Sequence, residues 1–127
     1  MAKPNPLPLP KSGPGHEACI FCRIARGEIP AQMVGHNPDM AAFRDTNPQA
    51  PTHILVIPKK HVASLDDAMD SAMLGHLLAF AAAIARQEKI SKSGYRTVIN
   101  TGKDGGQSVG HLHIHVLGGR AMEWPPG

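Results

Sequence analysis

The chain is 127 residues long, 42% hydrophobic and 18% charged, with a formal net charge of +3. That length holds one domain and excludes two ordinary ones, and the composition is not that of a disordered chain. The basic residues are scattered and aromatics make up 4%, so neither the basic stripe of a nucleic-acid binder nor a stacking platform for single strands is expected.

Residues 1–18 carry five of the twelve prolines, at positions 4, 6, 8, 10 and 14. Alternating prolines remove backbone donors and favour extended chain, which predicts a disordered tail. Residues 19–28 read as a short helix with Ile20, Phe21 and Ile24 on one side and Gly27 as its stop. Residues 32–35 and 40–44 are short strands around Asn37-Pro38-Asp39, a hairpin. After the proline-bounded loop 45–51, His53–Ile57 is nearly all apolar, as in a strand at the middle of a sheet.

Residues 64–92 hold one long helix, divisible into two pieces. Ser64 and Asp67 have capping-box spacing, and Asp70 or Ser71 fits a second start. Met73, Leu77, Phe80 and Ile84 repeat at helical spacing, and Gly94 supplies the expected stop. Tyr95–Asn100 is a strand, residues 101–110 are a glycine-rich loop, and His111–Leu117 is the last strand. Strands that mostly neighbour one another, without regular alternation with helices, predict an α+β fold with an antiparallel sheet of about five strands.

The chain holds eight histidines and two cysteines, and position explains the histidines better than number. In His111-Leu112-His113-Ile114-His115-Val116 side chains alternate between faces, so the three histidines share one face and the aliphatic residues the other. Neighbouring imidazoles on that face lie about 6–7 Å apart, from two rises of roughly 3.3 Å. Protonating one disfavours protonating the next, which keeps a neutral imidazole near pH 7 for nucleophilic attack or metal ligation. The preceding loop favours chemistry on phosphate. Its glycines allow close backbone approach and an anion-binding nest, and Gln107 and Ser108 add side-chain donors.

The segments GQSVGHLHIHVLGGR and DTNPQAPTHILVIPKKH and the ending WPPG resemble the histidine triad (HIT) family, in particular its Hint branch of purine nucleoside phosphoramidases. The resemblance runs from about Cys19 to Gly127. It implies a HIT-like α+β subunit with one long and one short helix, its sheet joined to a partner's in a homodimer. It also implies hydrolysis of the P–N bond of purine nucleoside phosphoramidates, such as adenosine phosphoramidate or AMP-lysine, through a nucleotidyl-His113 intermediate, with no catalytic metal. His115 and His53 then orient His113 and handle protons, while Ser108 and the N–H groups of Gly106 and Gln107 face the phosphate. Asn100 matches a ribose- and phosphate-side asparagine, and Asp45 the ribose-binding acid. Thr46 stands where relatives usually carry an apolar residue. Ile20, Phe21, Ile24, Phe43 and Leu55 match the purine pocket, and plain core packing is the competing reading of these five. Trp124 matches the C-terminal segment on the leaving-group side of the partner's site. The Fhit branch, which hydrolyses dinucleoside polyphosphates, is the alternative, as is a nucleotide-binding scaffold with weak catalysis.

Cys19 and Cys22 have metal-knuckle spacing, although a second such pair is absent, and free thiols are the alternative. Some family members complete the site with histidines that match His61 and His111 here, which gives a Cys₂His₂ set typical of structural zinc. That site is expected to tie the first helix to the sheet away from the chemistry. His16, His36 and His76 are left over, in the tail, the hairpin and the helix surface. The paired cysteines and the lack of a secretory or membrane-spanning apolar stretch imply a cytoplasmic protein away from the membrane. The resemblance implies that its partners are a purine nucleotide (an AMP or GMP moiety) and a second copy, and the scattered basic residues imply no nucleic acid.

Overall fold

The computed structural model describes residues 17–127. The expected tail, with His16, lies outside the described residues except for Glu17 and Ala18. The elements are α1 (Ile20–Ala25), β1 (Met33–His36), β2 (Met40–Arg44), β3 (Thr52–Pro58), a 3-10 turn (Leu65–Asp67), α2 (Ser71–Gln87), β4 (Tyr95–Val98) and β5 (Ile114–Gly118). All strand pairs are antiparallel, in the order β1-β2-β3-β5-β4. Among the described residues the fold is therefore α+β with a five-stranded antiparallel sheet and two α-helices. Among the described residues no helix is long and apolar enough to cross a membrane.

The nearly continuous apolar run of β3 takes the middle of the sheet, where both faces are covered. Its alternation divides two cores. Ile54 and Val56 pack with Met40, Ala42, Ile114 and Val116 beneath Leu77, Ala81 and Ile84 of α2. Leu55 and Ile57 pack on the opposite face with Ala41, Phe43 and α1. Six residues make a helix that is marginal alone, and α1 holds by burying Phe21, Cys22 and Ile24. The sheet therefore carries its long helix on one face and keeps the other for α1 and the histidines.

The long helix differs from the expectation at both ends. Ser64 Oγ donates to the Asp67 carboxylate rather than capping a backbone N–H, so only a 3-10 turn forms there. Asp70 caps α2 by accepting from Met73 N–H. The helix ends at Gln87, well before Gly94. The Lys89 N–H donates to the Arg86 carbonyl and the Ile90 N–H to that of Ala85, with Lys89 at φ +63°. This is a Schellman closure with lysine in the place usually held by glycine, and it drops Ile90 into the core.

Candidate active site

The hydrogen-bonded ladder of the last strand begins at Ile114, not at His111, yet the alternation runs through the whole segment. Leu112, Ile114 and Val116 enter the helix-side core. His111, His113 and His115 are buried with relative exposures of 0%, 2% and 3%. Leu55 of β3 pairs with His115 of β5, and His53 with Leu117. His53 is thus the diagonal neighbour of His115 on the same face, within reach of a long side chain.

Hydrogen bonds assign the ring nitrogens. Gln49 N–H donates to His53 Nδ1 at 3.0 Å, so the His53 proton sits on Nε2. That proton points at His115 Nδ1, 2.9 Å away, which leaves the His115 proton on Nε2. His113 Nδ1–H donates to the His111 carbonyl at 2.7 Å, which leaves Nε2 as its lone-pair nitrogen. Burial, then the neighbouring His113 and His53, lowers the pKa of His115 from 6.5 to about 3. The site therefore presents the Nε2 edge of His113 and, with the ring centroids 5.0 Å apart, a neutral donor on His115.

Asp45 is buried, with Oδ1 accepting from Asn47 N–H at 2.9 Å and Oδ2 lying 3.5 Å from His53 Nε2. Asp45, His53 and His115 bring potential ligand atoms within 4.8 Å of one another. A neutral His53 whose Nδ1 accepts from Gln49 has no lone pair on Nε2, so this trio suits proton handling better than metal ligation.

A groove of about 640 Å³ reaches His53 between Pro30, Gln32, Asp45, Thr46 and Pro51. An apolar recess of about 200 Å³ adjoins it, lined in part by Ile20, Ile24, Phe43 and Thr46. Of the five residues matched to a purine pocket, Ile20, Ile24 and Phe43 line this recess. Phe21 and Leu55 are fully buried core residues instead. Phe21 packs roughly perpendicular to Phe43, His111 and His113 at centroid distances of 5.4, 5.9 and 5.2 Å.

The glycine-rich loop departs from the expectation. Gly106 N–H donates to the Lys103 carbonyl and Gln107 N–H to that of Gly102, each at 3.0 Å. The Gln107 amide accepts from Gly102 N–H and donates to the carbonyls of Ala63 and Val109. These groups brace the loop, because a tight series of turns satisfies its own N–H groups, and they do not form the expected phosphate nest. Asn100 Nδ2 donates to the Gly105 carbonyl at 2.7 Å and clasps the same loop. Ser108 is exposed between this braced loop and buried Val109.

Cys19 Sγ lies 3.3 Å from His111 Nδ1, and Cys22 Sγ lies 3.2 Å from His61 Nδ1 and 3.5 Å from His111 Nδ1. The four ligand atoms fall within 4.8 Å of one another and form a possible metal site. His111 Nε2 donates to the Pro58 carbonyl at 2.8 Å, which directs the Nδ1 lone pair at the two sulfurs. Burial, then Cys19, pushes the Cys22 thiol up to about 12, and a cation among these atoms would oppose that shift. The cluster is not remote from the other histidines, since the ring of His111 belongs to it and the carbonyl of His111 holds His113.

His36 and His76 are exposed at the end of β1 and on α2. Trp124 is 81% exposed, in a C-terminal segment where Arg96 donates to the Glu123 carbonyl. Sequence reasoning missed Gln49 and Pro58. Both act through backbone atoms, which leave no residue-type signal.

The HIT domain family profile matches residues 26–122. An uncharacterised HIT-like protein of Synechococcus elongatus is 58% identical over 113 residues, 87% of this chain and 98% of its own length. The crystal structure of a HIT family hydrolase from Legionella pneumophila is similar with a TM-score of 0.84 and 52% identity, covering 86% of this chain and 99% of that one. A histidine triad nucleotide-binding protein from Candida albicans has a TM-score of 0.74 and 30% identity, covering 84% and 82%.

Proposed function

The chain belongs to the HIT domain family, and from that premise we propose that it is a nucleotide hydrolase of the Hint type. Its substrates are purine nucleoside phosphoramidates, and its nucleophile is His113. The observation that carries this reading is the 2.7 Å bond from His113 Nδ1–H to the His111 carbonyl, which in the neutral ring leaves Nε2 as a basic nitrogen on a buried side chain. The related Legionella protein is described as a hydrolase and the Candida protein as nucleotide-binding.

In the first step the Nε2 lone pair forms a bond to phosphorus as the P–N bond of the substrate breaks. The released electron pair leaves with the amine, which takes up one proton. In the second step water bonds to phosphorus and loses one proton, and the electron pair returns to Nε2. Solvent gives the amine its proton and recovers one from the attacking water, so the cycle balances with His115 neutral throughout. His115 Nε2–H and the Ser108 hydroxyl are the side-chain donors for the phosphate oxygens and the amine, and His53 keeps His115 in the donating tautomer. Asp45 and Thr46 line the groove that takes the ribose, and Ile20, Ile24 and Phe43 the recess that takes the base.

The Cys19, Cys22, His61 and His111 set fits structural zinc. Tetrahedral bonds of about 2.3 Å to sulfur and about 2.05 Å to nitrogen place S and N about 3.6 Å apart, close to the 3.2–3.5 Å observed. Zinc there supplies a fixed junction between α1, the segment after β3 and the segment before β5. Cysteines kept out of a disulfide, as zinc ligation requires, accord with a cytoplasmic location. A homodimer joined through the edge strand β4 completes the proposal. The other edge, β1, is bulged and gives its Val34 carbonyl to the Gln87 amide. Trp124 would then serve the leaving-group side of the partner's site.

The test offers adenosine phosphoramidate and a diadenosine polyphosphate side by side to wild type and His113→Ala. AMP released from the phosphoramidate by wild type alone supports the reading. Preference for the polyphosphate moves the chain to the Fhit-type activity, and an equally active His113→Ala removes the covalent mechanism.

A further inference from the structure

We propose that the Cys19–Cys22–His61–His111 centre, through Phe21 and the His111 carbonyl, is the device that positions the nucleophile. Its catalytic consequence rests on the reading of His113 given above, and its geometry does not.

Two connections run from the centre to His113. The first is through the backbone. The His111 ring is pinned at both nitrogens, by the two sulfurs at Nδ1 and by the Pro58 carbonyl at Nε2. A pinned ring fixes the backbone of its own residue, and the carbonyl of that residue holds His113 Nδ1–H. The second is through α1. Phe21 sits in sequence between the two cysteines, is fully buried, and stands at 88° to the His113 ring with centroids 5.2 Å apart. One connection holds the proton that defines the tautomer, and the other blocks the space into which the ring would turn.

Six-residue α1 cannot keep its own shape in isolation. Its cap is Cys19 Sγ itself, which accepts from Cys22 N–H at 3.4 Å. Loss of the centre therefore loosens the cap, the helix and Phe21 together, along with the clamp on His111. The groove residues Asp45, Thr46 and His53 lie on and beside other strands. Because Ile20 and Ile24 of the loosened helix also line the apolar recess, binding weakens too, and the effect particular to His113 is a lower kcat at saturating substrate. Misplacement of a reacting atom by about 1 Å lowers rates by up to a hundredfold.

The experiment reads the His113 imidazole directly. Full-length protein with ¹⁵N-labelled histidine is compared zinc-loaded and after removal of zinc by chelator, at one pH. The expected result is a single tautomer with a slowly exchanging Nδ1–H when loaded, and averaged tautomers with rapid exchange when stripped. Single-turnover formation of the nucleotidyl adduct should slow at least tenfold on stripping. A stripped protein that keeps its circular dichroism, the locked tautomer and the full rate overturns the proposal. Phe21→Leu in metal-replete protein decides the matter if stripping unfolds the chain, and a purified protein that takes up no zinc overturns the proposal. Metal content as in wild type, a lost tautomer lock and a lowered kcat at unchanged KM support the proposal, and a wild-type tautomer and rate overturn it. A locked tautomer without any cleavage of phosphoramidate overturns the substrate reading and leaves the positioning role intact.

Discussion

His53 Nε2 and His115 Nδ1 lie 2.9 Å apart across the central strands, and the Gln49 N–H on the far side of His53 sets the direction of the bond between them. A backbone donor in a proline-bounded loop thus determines which nitrogen of His115 carries a proton at the candidate site. Because His115 is neutral down to about pH 3, it keeps its Nε2–H across the physiological range and contributes no activity loss near its ordinary pKa.

The same burial links His115 to stability. Between its ordinary pKa of 6.5 and its folded value of about 3, the unfolded chain binds a proton that the folded chain excludes. The His115 contribution is complete above pH 6.5 and is lost as pH falls toward 3, by up to about 1.4 kcal/mol per pH unit. Urea midpoints measured between about pH 7 and pH 5 should fall with acidity in wild type, and less steeply in His115→Asn. Equal slopes would show that His115 protonates alike in both states.

Replacing the nucleophile should separate chemistry from fold. His113→Ala leaves no nitrogen to attack phosphorus, and kcat/KM should fall by at least about a thousandfold. Wild type quenched during turnover should show a nucleotidyl adduct by intact mass, and the variant none. An adduct of undiminished yield in His113→Ala would place the nucleophile elsewhere.

Legibility in the sequence varied with how each contact is made. The alternation from His111 to Val116 is a side-chain pattern, so both faces of β5 and the core behind it could be read directly. The apolar run of β3 likewise located the middle of the sheet. The donors of Gly106 and Gln107 could not be assigned, because hydrogen bonds inside a turn place no demand on residue type. Gly94 looked like the helix stop because glycine usually holds the left-handed position, and Lys89 took it instead. Phe21 looked like a pocket residue because an apolar side chain behind a histidine and one in front of it have the same composition. The separation of the metal set from the reacting histidines failed for a simpler reason. A single residue, His111, sends its ring to one and its carbonyl to the other.

Lys89 offers a change that should stabilise the fold without touching the site. A residue with a Cβ at φ +63° is disfavoured by about 1 kcal/mol relative to glycine. Lys89→Gly should keep the Schellman closure and the burial of Ile90, and raise the melting temperature by about 3–5 °C. The site lies on the opposite face of the sheet, so kcat/KM should stay as in wild type. A lowered melting temperature would mean that lysine makes a contact worth more than the strain it carries.

Gly105 tests whether the braced loop matters to the chemistry. A Cβ built there would collide with the Thr101 carbonyl oxygen and stand 2.9 Å from the Thr101 nitrogen. Both atoms are backbone, so neither can swing aside as a side chain would, and the turn must open. The Gly105 carbonyl is also the acceptor for Asn100 Nδ2, so that clasp is strained by the same change. Exposed Ser108 lies three residues on, and its placement depends on this loop. Gly105→Ala should therefore lower kcat/KM at least about tenfold through misplaced donors to the phosphate. The exposed position of the loop should limit the loss of stability to about 1–3 kcal/mol. Steady-state kinetics beside a urea melt separates the two effects. Unchanged kinetics in the variant would mean that the loop braces the fold without serving the phosphate.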